Sequence, residues 1–301
     1  MSGGPHVPDL IEHTVRVPLV VPYRGVAYRD VTLVGGAAGW GECSPLPGYP
    51  CDPAPARRGA VEAATVGWPP SVRDRVRVNA LVSGQGPAEA VAAAEAAVEQ
   101  GFDTLKLKLA PVTSLERSRT VRGDFPAASE IVHAVETVRA VRAAVGSRVA
   151  LRVDCNAALT VESATALLAA LEDADLEYVE QPVGSIEDLA RLREQVRVPL
   201  AADECVRSVA DARRLRELGA ADVLVVKVQP LGGFAAAQEV VAAAGLPVVV
   251  SSMIETSIGL AVGLAFAASL PDLPLACGLA TARLLALDVV ADPLVPERGW
   301  L

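Results

Sequence analysis

The basic residues of this 301-residue chain are almost all arginine. Of 27 Lys and Arg, only Lys106, Lys108 and Lys227 are lysines. An ammonium can be tuned to lose its proton near neutral pH, whereas a guanidinium cannot. A composition that avoids lysine nearly everywhere therefore marks these three as groups with a proton to exchange, the alternative being chance retention on a solvated strand face. Lys106 and Lys108 stand two residues apart, which on a strand aims both at one face. Three carboxylates, Asp154, Glu180 and Asp203, lie at or near the ends of the apolar runs VALRVD, LEYVEQ and VPLAADE. On neighbouring strands, about 4.8 Å apart, such carboxylates can converge on one cation. An all-oxygen donor set suits Mg²⁺ or Mn²⁺, and no His or Cys cluster is available for zinc. Taken singly, Asp154 or Asp203 could equally cap a following helix.

These residues need a scaffold that brings strand ends together. From about residue 77, strand-like runs occur at 76–82, 104–110, 149–154, 176–181, 198–204, 222–228, 246–252 and 273–279. Helical patterns separate them, and a further helix is expected after the last. This rhythm predicts an α/β fold, a (β/α)₈ TIM-type barrel over 77–287, with its chemistry at the C-terminal strand ends. An open doubly wound sheet is the alternative, but the segment after the first strand reads SGQGPAE, without GxGxxG. Residues 12–34 alternate around a turn at Pro22-Tyr23-Arg24-Gly25, which predicts a hairpin. The Pro/Gly-rich stretch 39–55 predicts a long functional loop, and 56–66 a short helix. Together they make residues 1–76 an α+β capping domain. Residues 288–301 are expected to pack back on it.

With 51% hydrophobic and 21% charged residues, the chain is neither disordered nor fibrous. A net charge of −9 argues against nucleic acid and anionic membranes as partners. No apolar run reaches the roughly 18 residues that span a bilayer, and the N-terminus shows no secretory pattern. The five cysteines, Cys43, Cys51, Cys155, Cys205 and Cys277, have no CxxC spacing and suit a reducing, cytoplasmic setting. Cys155 and Cys205 each follow a carboxylate and are expected to point outward, toward the helices. His6, His13 and His133 fall away from the strand ends.

The order KLK (106–108), DCN (154–156), EQP (180–182), DE (203–204) and VKVQP (226–230) resembles the enolase superfamily, in particular its muconate-lactonizing branch. GWGECSPLPG (39–48) and SSMIETSIGL (251–260) strengthen the likeness, and GLATARLL (278–285) departs from it at the eighth strand. The resemblance implies an enolase C-terminal-like barrel and proton removal α to a carboxylate, through an enediolate. It assigns Asp154, Glu180 and Asp203 as ligands of Mg²⁺, with Mn²⁺ possible, and Lys108 as base. Lys106 and the metal are then expected to lower the pKa of Lys108. Lys227 is expected across the ring as a stabilising cation, or as a second acid/base in racemases. A dehydratase acting on a small carboxylate is the expected activity. A racemase or epimerase of N-acylamino acids or dipeptides is the alternative, with specificity set by the capping loops 17–27 and 43–53.

Further substrate contacts are expected from Ser251, Ser252, Asn156, Arg152 and Gly232. Ordinary roles compete for each: N-cap for the serines, barrel packing for Arg152 and Asn156, and a turn for Gly232-Gly233. Glu204 could orient a lysine or cap a helix. Outside the superfamily, a Schiff-base aldolase needs no carboxylate triad, and a non-catalytic binding barrel would accept arginine at the lysine positions.

Overall fold

The computed structural model describes residues 10–23, 25–84, 86–109 and 128–301. Arg24 of the expected turn, Ala110 of the second strand run and His6 lie outside them. The N-terminal unit is a three-stranded antiparallel sheet, β1 (Ile11–Tyr23), β2 (Val26–Gly36) and β3 (Gly39–Cys43), with α1 (Pro53–Thr65) packed against it. β3 corrects the expectation of loop over the whole of 39–55. Its two glycines, poor strand formers, disguise a segment that pairs with Thr32–Gly36. Gly41 is required there, because a Cβ would lie 2.1 Å from the Ala60 carbonyl oxygen of α1.

The second unit alternates β4 (Ala80–Val82), α2 (Pro87–Glu99), β5 (Thr104–Lys108), α3 (Ala128–Val145), β6 (Ala150–Asp154), α4 (Val161–Ala170) and β7 (Leu176–Glu180). It continues with α5 (Ile186–Arg193), β8 (Leu200–Ala202), α6 (Val209–Glu217), β9 (Val223–Val226), α7 (Val228–Leu231), α8 (Phe234–Ala244), β10 (Val248–Val250) and α9 (Ser257–Ser269). The strands β4 to β10 pair in parallel, in chain order. They are short, mostly buried runs, as a sheet covered on both faces requires. Along β9, Leu224 and Val226 face the helices, while Val223 and Val225 face the barrel axis with Tyr178, Ala201 and Val249. Helix starts are set locally. Ser185 and Ser208 accept the backbone N–H groups of Asp188 and Asp211, and Thr160 with Ser163 forms a capping box.

The eighth strand run closes the barrel without forming a ladder. Cys277 bridges Val78 and Gly278 bridges Ser251. Pro274 has no N–H to give, and the carbonyls of Pro274 and Ala276 accept from the side chains of Arg77 and Arg152. Only a 3₁₀ turn, Ala282–Leu284, follows, where a helix was expected. β9 also stops at Val226, so Lys227 sits at the start of α7, just beyond the strand. The end of the chain runs beside the boundary at residue 76. Leu301 and Val76 exchange backbone hydrogen bonds and Val78 donates to Gly299, so it pairs with the stretch entering β4. Within 288–301, Val289 is a residue that packs on the capping sheet. That sheet meets the barrel through Val17, Leu19, Val31 and Leu33 against Ile254 and Leu285, which places its loops over the strand ends.

Candidate active site

All three lysines and all three carboxylates meet at the barrel mouth. The β5–β6–β7 register sets Lys108, Asp154 and Glu180 side by side. Lys106 Nζ donates to Glu180 Oε1 at 2.6 Å and lies 2.9 Å from Asp154 Oδ2. Lys108 Nζ donates to Asp154 Oδ2 at 2.5 Å and to Asn156 Oδ1 at 3.0 Å. Asn156 in turn donates from Nδ2 to Glu204 Oε1, 3.1 Å away. Its φ of 47° is tolerated by a short amide side chain. Across the mouth, Lys227 Nζ donates to Asp203 Oδ2.

Burial makes this ring electrostatically tense. Asp154, Glu180 and Asp203 are all at most 2% exposed. Burial, and then the neighbouring Asp154 charge, push the Glu180 carboxyl up to about 8. Asp154 moves the other way. Burial opposes its charge, but Lys106 and Lys108 together hold it below the ordinary carboxylate range. Burial would lower Lys108, yet Asp154, Tyr23 and Glu180 together outweigh it and the ammonium is held above its usual value. The expected lowering is therefore not a property of the protein groups alone.

Among the described residues, no three carboxylates, imidazoles or thiols stand ready as a metal cage. Each of the three carboxylates is instead engaged by a lysine. The donor chemistry nevertheless fits a hard divalent cation. The three groups offer only oxygen, and Glu180 Oε2 is buried with no hydrogen-bond partner.

The capping loop supplies a residue that sequence reasoning missed. Tyr49 Oη donates to Asp203 Oδ1 at 2.7 Å, and Lys227 Nζ lies 4.1 Å from the centroid of its ring. Tyr49 stands in the loop expected to set specificity, but nothing local distinguishes it from its neighbours. Together with Tyr23, Leu46, Met253 and Ile254 it helps wall a pocket that opens to solvent and contains Lys106, Lys108, Lys227, Asp154 and Asn156. Ser251 and Ser252 also line it. They precede α9 by several residues and do not cap it, since Thr256 is its N-cap. Ser252 Oγ donates to the Gly278 carbonyl at 3.0 Å.

Two expected substrate contacts lie elsewhere. Arg152 shares the face of Asp154 but sits one pleat deeper, fully buried, donating to Glu177, Asn79 and the Ala276 carbonyl. Gly232 and Gly233 face α1 of the capping domain, close to Arg58 and Glu62. Glu62 accepts from the backbone N–H groups of Phe234 and Ala235, so the start of α8 is already capped. Cys155 and Cys205 do pack among the outer core residues, and His13 and His133 are not among the pocket residues.

A capping domain on a closed parallel barrel, with lysines and acids at successive strand ends, defines an enolase-type enzyme. Residues 89–301 match the family described as Enolase C-terminal domain-like, and 14–64 match Enolase N-terminal domain-like. The L-Ala-D/L-Glu epimerase of Bacillus subtilis shares the fold, with a TM-score of 0.81 at 24% identity, covering 97% of this chain and 95% of that one. The o-succinylbenzoate synthase of Thermobifida fusca is 47% identical over 95% of this chain and 84% of its own length. That of Mycolicibacterium smegmatis is 40% identical over 100% of this chain and 88% of its own. The chain belongs to the o-succinylbenzoate synthase family of the enolase superfamily.

Proposed function

We propose that the chain is a carbon–oxygen lyase that dehydrates 2-succinyl-6-hydroxy-2,4-cyclohexadiene-1-carboxylate to 2-succinylbenzoate, a step of menaquinone biosynthesis. The observation that carries this reading is the pairing of every lysine in the chain with three buried carboxylates at one barrel mouth. Lys108 Nζ takes the proton α to the substrate carboxylate. The electron pair becomes the enediolate and then expels the ring hydroxyl. Lys108 returns its proton to that leaving oxygen, water departs, and the ring becomes aromatic. Lys227, on the far side of the mouth, holds positive charge against the intermediate. Lys106 neutralises Glu180 and Asp154 and stays protonated. Leu46 and Tyr49 cover the pocket and limit water, and Ser251 and Ser252 offer hydroxyls to the substrate carboxylate.

Asp154, Glu180 and Asp203 would hold Mg²⁺, or Mn²⁺ in its place, which when bound supplies Lewis-acid stabilisation and competes for the Asp154 charge that keeps Lys108 protonated. The five unpaired cysteines support action in the cytoplasm, and no helix among the described residues is long and apolar enough to cross a membrane.

A second reading has a specific basis. Lys108 and Lys227 come from opposite sides of the barrel, as proton removal and return on two faces requires in an epimerase. Dehydration uses one face, and the family relationship favours it. Both assays can be run on one purified sample with Mg²⁺. The expected result is loss of diene absorbance, with N-succinyl amino acid epimerisation weaker by about two orders of magnitude in kcat/KM. Robust epimerisation without diene turnover would overturn the reading.

A further inference from the structure

Arg29 is 1% exposed, although it stands on β2 of the capping sheet, away from the lysines and carboxylates of the site. It has no ion pair among the described contacts; its guanidinium is spent on three backbone carbonyls. It donates to Ser44 O, to Pro45 O at 3.3 Å and to Ile254 O at 3.2 Å. The first two belong to the capping loop that carries Leu46 and Tyr49 to the pocket. The third belongs to the barrel loop that follows β10 and carries Met253 and Ile254 to it. One planar fork thus joins two loops that both wall the pocket.

Two independent features show that this junction is held in place. Ile254 has φ 60°, a left-handed conformation that a β-branched side chain adopts only when its surroundings impose it. Its carbonyl is the one that Arg29 holds. Ser44 is fixed from every side. Its N–H donates to Gln229 Oε1 at 2.7 Å, two residues beyond Lys227, and its hydroxyl donates to Glu42 Oε1 at 2.5 Å. Glu42 also accepts from the N–H groups of Thr256 and Gly259 at the start of α9. The capping loop is therefore locked to the barrel loops after both β9 and β10.

We propose that Arg29 is a positioning residue that fixes these two pocket walls against each other and thereby sets affinity for the substrate. Substrate affinity here rests on the reaction proposed above; the locking itself does not. The test uses Arg29→Lys and Arg29→Met in the full chain. Lysine keeps the charge but loses the fork, and it carries the test if the methionine variant does not fold. Backbone amide exchange over residues 44–49 and 252–256 should accelerate by about tenfold or more, while β5–β9 stay protected. KM for the diene should rise by about tenfold, with kcat within about threefold of the parent. Unchanged loop exchange, or loosened loops with an unchanged KM, would overturn the proposal. Accelerated loop exchange in a protein whose parent does not turn over the diene would leave the locking intact and reject the reaction.

Discussion

β6 carries two buried charges on one face, and they do opposite work. Asp154, at the mouth, is shared by Lys106 and Lys108. Arg152, one pleat deeper, is fully buried, stacks 4.6 Å from the Tyr178 ring centroid and donates to Glu177 at 2.6 Å and to the Ala276 carbonyl at 2.7 Å. Both levels are buried and ionic, but only the upper one uses lysine. A group that must give up a proton needs a pKa that its partners can move: Glu180 is pushed up and Asp154 down, and Lys106 and Lys108 are held above their usual values by the same carboxylates that a cation would engage. Arg152 keeps its proton at any working pH, so its charge can serve as a fixed strut closing the barrel at residue 276. Equal burial therefore does not imply equal function; the choice between ammonium and guanidinium separates chemistry from architecture.

The largest effect that can break this contrast is removal of the metal. Dialysis against excess EDTA should abolish turnover, and Mg²⁺ should restore it. Asp203→Asn should remain folded by circular dichroism yet lose metal affinity in calorimetric titration. Full activity in chelator would mean that the carboxylates serve only the lysines. Next comes Lys227→Arg, which keeps the charge and changes its shape. Its kcat should fall by about 10²-fold or more, because the fork cannot occupy the place of a compact ammonium over the Tyr49 ring.

At the lower level the sign of the experiment changes. Arg152→Met should cost about 3 kcal/mol of stability in urea unfolding, since Glu177, Asn79 and the Ala276 carbonyl lose their donor together. Its kcat per folded molecule should fall by less than about tenfold. A large kcat loss at full stability would place Arg152 among the catalytic groups after all.

A third buried charge gives the smallest and most graded effect. Burial, and then Glu255, push the Glu42 carboxyl up to about 7 in the folded protein. Its folded pKa lies above its unfolded one, so its contribution to stability is complete below about pH 4.5 and is lost as pH rises through about 7. Relative to Glu42→Gln, the parent should lose stability between about pH 4.5 and 7, with a slope of at most about 1.4 kcal/mol per pH unit. Parallel stability curves for the two proteins would show that Glu42 is ionised throughout.

The upper level was legible in the sequence because its signals are local. Lysine scarcity, the i, i+2 pair and carboxylates closing apolar runs need only strand geometry to converge. The barrel period was legible for the same reason. The eighth strand was not, because LPLACGL has strand hydropathy while its carbonyls are claimed by Arg77 and Arg152, both distant in sequence. For Arg152 the sequence leaves substrate contact and barrel packing both open, because face is readable from periodicity but depth along a strand is not. Tyr49 acts through a contact between domains, 154 residues away in the chain, and Arg29 joins a capping-loop contact to one 225 residues away, which no local pattern records.

The most direct test of the central claim is Lys108→Arg, measured as kcat for diene dehydration with Mg²⁺ saturating and the fold verified by circular dichroism. This variant keeps the positive charge beside Asp154 and forbids its loss. A fall in kcat of at least about 10³-fold with an unchanged spectrum is the predicted result. Retention of a third or more of the parent activity would show that the residue at 108 has no proton to move, and the division between lysine and arginine would fail with it.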